Sequence, residues 1–204
     1  AKGNSYQEGQ MSLPRGKIMG GSTAVNGMIW IRGTPEDFDG LVEMGNDQWS
    51  YKHTLPFFRK IETDQNFGGD FHGTQGPTPV RRFPQQDWMP SIKAFHQACL
   101  NYRFSPTPDM NLPDSSGVGP RAVNQLDGVR MSTALTYLQP IRHRMNLVLR
   151  GDVLVRKVFF QGTTAIGVEV ESGGEIFQIN GREIILSAGA VGSPCILLHS
   201  GIGP

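Results

Sequence analysis

The chain has 204 residues, of which 38% are hydrophobic, with 26 glycines and 14 prolines. That length holds one large domain or two small ones around a real core, and the glycine and proline content calls for many turns without a collagen period. A net charge of +1, from 19 basic and 18 acidic residues mixed along the chain, gives no electrostatic basis for a nucleic-acid or membrane-surface partner.

In chain order, residues 1 to 15 are polar and aperiodic and read as an arm. "AKGNSYQEGQ" lacks the charged-then-apolar pattern of a signal peptide, and no apolar run is long enough to cross a bilayer, so a cytoplasmic location is expected. The segment "GKIMGGSTAVNGMIWIRG" sets Gly20 to Thr23 in apolar surroundings. Such bare backbone implies a tight turn, a close approach to a ligand, or both. Thr23 to Ile31 reads as the start of a helix, "RGTPEDFDGL" as a turn with a short helix from Pro35, and Ser50 as the N-cap of a helix running through Glu62. Asp64 to Pro84 reads as loop with one strand near Val80. Trp88, Ile92, Phe95, Cys99 and Tyr102 recur at helical spacing, with Asp87 as cap. Ser132 is expected to cap a short helix that stops before Pro140.

From Asn146 the period changes to two. "NLVLRGDVLVRKVFF", "AIGVEVES" and "EIFQINGREIILSAG" predict a meander with hairpins at Gln161-Gly162 and Gly173-Gly174, then a strand over Glu183 to Leu186. A helix follows, with Ser193 as cap, Pro194 in its first turn and Gly201 at its end. An α/β (α+β) chain results. Cys99 and Cys195 lie in apolar helical stretches without metal-ligand spacing, so buried free thiols in a reducing compartment are expected, with pairing open.

Two segments share an apolar approach, a run of small residues and a helix start, where unpaired N–H groups suit a phosphate or an electron-rich ring edge. Either alone is as compatible with a connector. Together they are specific: "RGKIMGGSTAVNGMIWIRGTPEDFD" and "GAVGSPCILLHSGIG" resemble the two signatures of the glucose–methanol–choline family of FAD-dependent oxidoreductases. "QWSYKHTLPFFRKIE", "FHGTQGP", "GVRMSTALTYLQP", "RMNLVLRGDVLVRKV" and "AIGVEVE" are similar to the family's intervening blocks in the same order. Met19 replaces the usual branched aliphatic residue there.

The resemblance implies part of a Rossmann-like FAD-binding domain in residues 1–63 and 130–204, with a cap or substrate-side segment in 64–129. It implies that Gly20, Gly21 and Ser22 approach the flavin and that Asn26, Gly27 and Met28 lie near its ring. Val25 stands where some members carry a histidine tethered to FAD, so non-covalent FAD is expected. Val155 is the candidate adenine contact, and Ala188 and Gly189 match the turn that returns to the cofactor. The implied reaction is hydride transfer from an alcohol, choline or sugar CH–OH to flavin N5, giving an aldehyde, ketone or lactone, with oxygen or another acceptor closing the cycle. A hydroxynitrile lyase and a non-catalytic flavin-binding remnant remain alternatives.

The family's pyrophosphate-binding G-x-G-x-x-G and its distant catalytic histidine pair have no counterpart here. The expectation is therefore an internal portion of a longer enzyme, inactive as these 204 residues alone, with no catalytic residue and no metal ligand of its own. His53, His96, His143 and His199 read as surface or capping residues, and His72 as a hydrogen bond to a neighbouring loop or a substrate contact. Glu36 and Asp37 suit a helix start, Arg81-Arg82 and Arg142-Arg144 read as solvated pairs, and Ser187 and Ser193 lack a nucleophile elbow.

Overall fold

The computed structural model describes residues 12–204, so most of the polar arm expected over 1 to 15 lies outside the described residues. Two compact units divide the chain, Ala1–Arg144 and Met145–Pro204.

In the first unit α1 (Pro35–Glu43) follows Thr34, whose N–H donates to Asp37 Oδ2 at 2.8 Å, and Glu36 and Asp37 occupy the first turn as expected. Ser50 Oγ accepts the His53 N–H at 3.3 Å and starts α2 (Tyr51–Ile61). The helix ends one residue before its predicted limit, because Glu62 opens β1 (Glu62–Asp64). The chain then loops through "FHGTQGP", packed backbone to backbone on the end of α2: a Cβ at Gly73 would stand 1.8 Å from the Arg59 carbonyl oxygen. β2 (Thr78–Arg82) runs parallel to β1, pairing Glu62 with Thr78 and Asp64 with Val80.

α3 (Pro90–Asn101) begins at a proline suited to the first helical position, and the predicted cap Asp87 instead lies in a preceding 3-10 turn. β3 (Ala122–Val123) pairs antiparallel with β2, and β4 (Gln125–Leu126) with β5 (Val129–Arg130). The helix after Ser132 does not stop before Pro140. A π-helical turn, Ala134–Leu138, hands over to α4 (Gln139–Ile141), whose first turn tolerates the proline. Val80, Ala122 and Val123 are buried in this unit, but so are Arg32, Glu62, Asp64, His72, Arg82 and Asp109. Strand alternation produces that outcome, since Glu62 and Asp64 on β1, and Thr78, Val80 and Arg82 on β2, all turn inward.

The second unit is the predicted antiparallel meander: β6 (Leu154–Gln161), β7 (Thr164–Ser172) and β8 (Glu175–Asn180). Its core joins Val158 and Val170 with Ile196 of α5 (Gly189–His199). The strand expected over Glu183 to Leu186 has no ladder partner among the described residues, and Ile185 is 78% exposed. α5 starts earlier than predicted, and Ser193 acts from inside it, its Oγ accepting the Ala188 N–H at 3.0 Å. Gly201 ends it at φ +80°, as expected. Cys99 is half-buried and Cys195 exposed, both free, which corrects the expectation of buried thiols. No helix among the described residues is long and apolar enough to cross a membrane.

Ser200 ties α5 to the sheet. Its Oγ accepts the N–H of buried Val158 at 2.8 Å and donates to the Ile196 carbonyl at 2.6 Å. Ser200→Ala orphans that buried donor, so the second unit should lose about 1–3 kcal/mol, read as faster hydrogen exchange at the Val158 amide.

Candidate cofactor site

The glycine run is a left-handed turn followed by a rail. Gly20 and Gly21 have φ of +87° and +54°, and the Gly21 N–H donates to the Ile18 carbonyl at 2.8 Å. A 3-10 turn over Gly21–Ala24 follows, and the helix expected from Thr23 does not develop. The reason is local: Asn26 Oδ1 takes the Met28 N–H at 3.0 Å, an Asx turn that competes with helical pairing, and Met28 adopts φ +59°. Beyond it the chain is extended, with Ile29 bridged to Val123 and the Trp30 N–H donating to the Ala122 carbonyl at 2.9 Å.

Residues 122–134 cover one side of this rail. Asn124 N–H donates to the Met28 carbonyl at 3.0 Å, and Arg130 Nη1 donates to the Asn26 carbonyl at 2.5 Å and to its Oδ1 at 2.9 Å. Thr133 N–H donates to Thr23 Oγ1 at 3.0 Å, while Thr133 Oγ1 donates to the Gly20 carbonyl at 3.2 Å. A Cβ on Gly20 would meet Ala134 N at 3.0 Å, whereas one on Gly21 would have nothing within 4 Å. The two glycines thus serve different ends. Gly20 is bare because the protein packs there, whereas Gly21 has open space at its Cα while its carbonyl packs against Gly16. Ser22, Val25, Asn26 and Gly27 are exposed.

In the second unit, Val155 and Ala188 line one cavity of about 730 Å³ with Val153, Lys157, Gly192 and His199. Gly189 opens α5 at φ +85° with no atom within 4 Å of a would-be Cβ. Gly189 follows directly on Ala188 of that cavity's lining, and the Gly20–Met28 rail belongs to the first unit.

At the centre of the first unit lies a cluster that the sequence reading divided among unrelated roles. Glu62 accepts from Trp30 Nε1 at 2.7 Å, from Arg32, and from the Gly73 N–H at 3.1 Å. Arg82 grips both oxygens of Asp64 at 2.7 and 3.0 Å and reaches Asp109 at 2.6 Å, which corrects its reading as a solvated arginine. His72 lies between them, Nδ1 at 3.1 Å from both Glu62 and Asp64 and Nε2 at 2.7 Å from Asp109. Burial opposes its charge, but hydrogen bonds to Asp109, Asp64 and Glu62 push its pKa up to about 10. Burial likewise opposes ionisation of Glu62, Asp64 and Asp109, and the His72 hydrogen bonds, aided by the two guanidiniums, hold all three below their ordinary values.

Three carboxylates therefore face three cations, Arg32, Arg82 and imidazolium His72. Glu62, Asp64 and His72 have metal-ligand geometry, with donor atoms within 4.8 Å of one another. The same carboxylates already accept from Arg32, Arg82 and the Gly73 N–H, so the contacts present are ion pairs and hydrogen bonds. The legible signals were the i, i+2 acids of "ETD" and the "TPVRR" strand.

The remaining histidines stay peripheral. His53 and His143 are exposed, and His199 lies in the last turn of α5. His96 differs from a solvated position by packing edge-on against Trp88, with ring centroids 5.2 Å apart.

The family model of GMC oxidoreductases matches residues 4–204. The chain belongs to that family. It is 43% identical over 95% of its length to an uncharacterised GMC-type oxidoreductase of Rhodococcus erythropolis, covering 38% of that protein. It is 38% identical over 95% of its length to an oxygen-dependent choline dehydrogenase of Photobacterium profundum, covering 34% of it. Among solved structures it resembles pyridoxine 4-oxidase from Mesorbium loti, with a TM-score of 0.86 and 32% identity over 93% of this chain and 38% of that one. The GMC chain here spans about a third of the length of these relatives. Its α+β architecture is that of the GMC flavoenzymes, and the family cofactor is FAD.

The residues present fit such a group. Within the first unit the open space at the Gly21 Cα permits close approach of a ligand, and within the second the cavity beside Val155 and Ala188 admits a heterocycle.

Proposed function

We propose that the protein is an FAD-dependent oxidoreductase acting on the CH–OH group of a small alcohol, and that this GMC chain supplies walls of its cofactor site. The observation that carries the reading is the rail from Gly21 to Met28, held by residues 124–133 and exposed at Ser22, Val25, Asn26 and Gly27. In the first unit, Gly20, Gly21 and Ser22 bring backbone close to the flavin, and Asn26, Gly27 and Met28 line its ring. In the second, the Val155 backbone serves the adenine, with Ala188 and Gly189 beside the cofactor. FAD, when bound, supplies the two-electron acceptor for oxidation of the alcohol.

Val25 offers no side-chain nucleophile for a covalent bond, so the FAD is non-covalent and released by denaturation. Residues 1–63 and 130–204 belong to the FAD-binding domain, and 64–129 to the substrate side. The relatives named as choline dehydrogenases favour a small hydroxylated substrate, with oxygen or another acceptor taking the electrons.

The test, on the full-length enzyme, is an FAD titration followed by visible absorbance, then dye reduction with alcohols including choline. FAD uptake with alcohol-dependent dye reduction is the expected result. Cyanide release from cyanohydrins without dye reduction would assign the lyase reaction instead, and a protein that takes up no FAD would overturn the reading.

A further inference from the structure

The Asn26–Met28 turn is closed locally, by Asn26 Oδ1 and the Met28 N–H, and a residue more than a hundred positions away braces it from outside. Arg130 sits on β5 after the tight Asp127-Gly128 turn, both residues at positive φ, and Gln125 pairs directly with it across the hairpin. This rigid mount aims Nη1 at Asn26, where it donates to the backbone carbonyl at 2.5 Å and to Oδ1 at 2.9 Å.

The side-chain amide of Asn26 is thereby oriented. Its Oδ1 accepts from both Arg130 and the Met28 N–H, and among the described residues its Nδ2 donates to no protein group. The two bonds that Arg130 donates, to the Asn26 carbonyl and to Oδ1, have a cationic donor and are stronger than a neutral pair. Arg130 makes no ion pair with a carboxylate among the described residues.

The geometry points to Arg130 as a positioning residue for the cofactor: it locks the Asn26 amide with its donor edge turned to the ligand side. This inference rests on the proposed placement of Asn26 beside the flavin. The GVRMST block then has a task of its own, since Thr133 holds the glycine end of the rail and Arg130 the asparagine end.

The test uses the flavin-loaded protein and compares Arg130→Met, Asn26→Ala and the double variant by FAD titration and by visible circular dichroism at saturating FAD. Arg130→Met should weaken FAD binding about tenfold, and the double variant should lose clearly less than the two single losses combined, because Arg130 acts in large part through that amide. The dichroism of the bound flavin should change in Arg130→Met, which a merely structural loss elsewhere would not produce. Arg130→Lys, which keeps the cation, should recover part of the affinity and serves if Arg130→Met fails to fold. Additive losses, or native affinity and dichroism in either folded Arg130 variant, overturn the inference. Failure of the underlying reading is a separate result, visible as absence of FAD uptake by the unsubstituted protein.

Discussion

His72→Leu should cost the first unit about 3–5 kcal/mol, because it leaves three buried carboxylates facing two guanidiniums. Trp30, Trp49 and Trp88 all belong to that unit, so tryptophan fluorescence during urea unfolding reports it selectively. The pH profile carries the same signature. His72 titrates at about 10 folded against 6.5 as an ordinary histidine, so the folded state keeps a proton that the unfolded state releases. Its stabilisation is complete below pH 6.5 and fades as pH rises toward 10. The carboxylates act oppositely: their lowered folded pKa values give stability that is present above the ordinary carboxylate range and lost on acidification. The urea midpoint should therefore be highest at about pH 5–6.5, and His72→Leu should flatten the alkaline decline. A variant that retained the full decline would show that another group is responsible.

Gly20→Ala and Gly21→Ala should part company although they are adjacent. At Gly20, φ is +87° and the new methyl would press on Ala134 N at 3.0 Å and Ala134 Cβ at 3.1 Å. Strain and crowding together cost about 2–4 kcal/mol, read as a lower urea midpoint even without FAD. At Gly21, φ of +54° lies near the left-handed minimum and the methyl meets nothing. Stability should fall by only about 1 kcal/mol, while FAD affinity drops on the order of tenfold because the methyl occupies the bare side of the rail. Equal effects of the two substitutions on both measurements would show that the glycines share one role.

The contrast between these neighbours shows where sequence reading stops. Both look alike in "GGST", and only the chain at 132–134, brought over Gly20, separates them. Likewise "TPVRR" reads as a strand with a solvated basic pair, but the inward face of β2 belongs to Arg82 and half-buried Arg81 packs over Phe83 instead. The meander was legible because period two and its glycine turns are local. So were the Ser50 cap and the Thr34–Asp37 helix start. The 183–186 segment was misread as a strand because apolar composition is local but a ladder needs a neighbour, and none pairs with it among the described residues.

The sequence by itself determined the family, the α+β class, the FAD expectation and most helices and hairpins, since these rest on motif order and on interactions within a few residues. The tertiary structure alone decided that His72 is an imidazolium among three acids, that Arg82 is buried, and that Arg130 and Thr133 shape the glycine rail. Those outcomes depend on contacts between residues up to 113 positions apart, whose energies come from burial and charge balance that no short stretch of sequence contains.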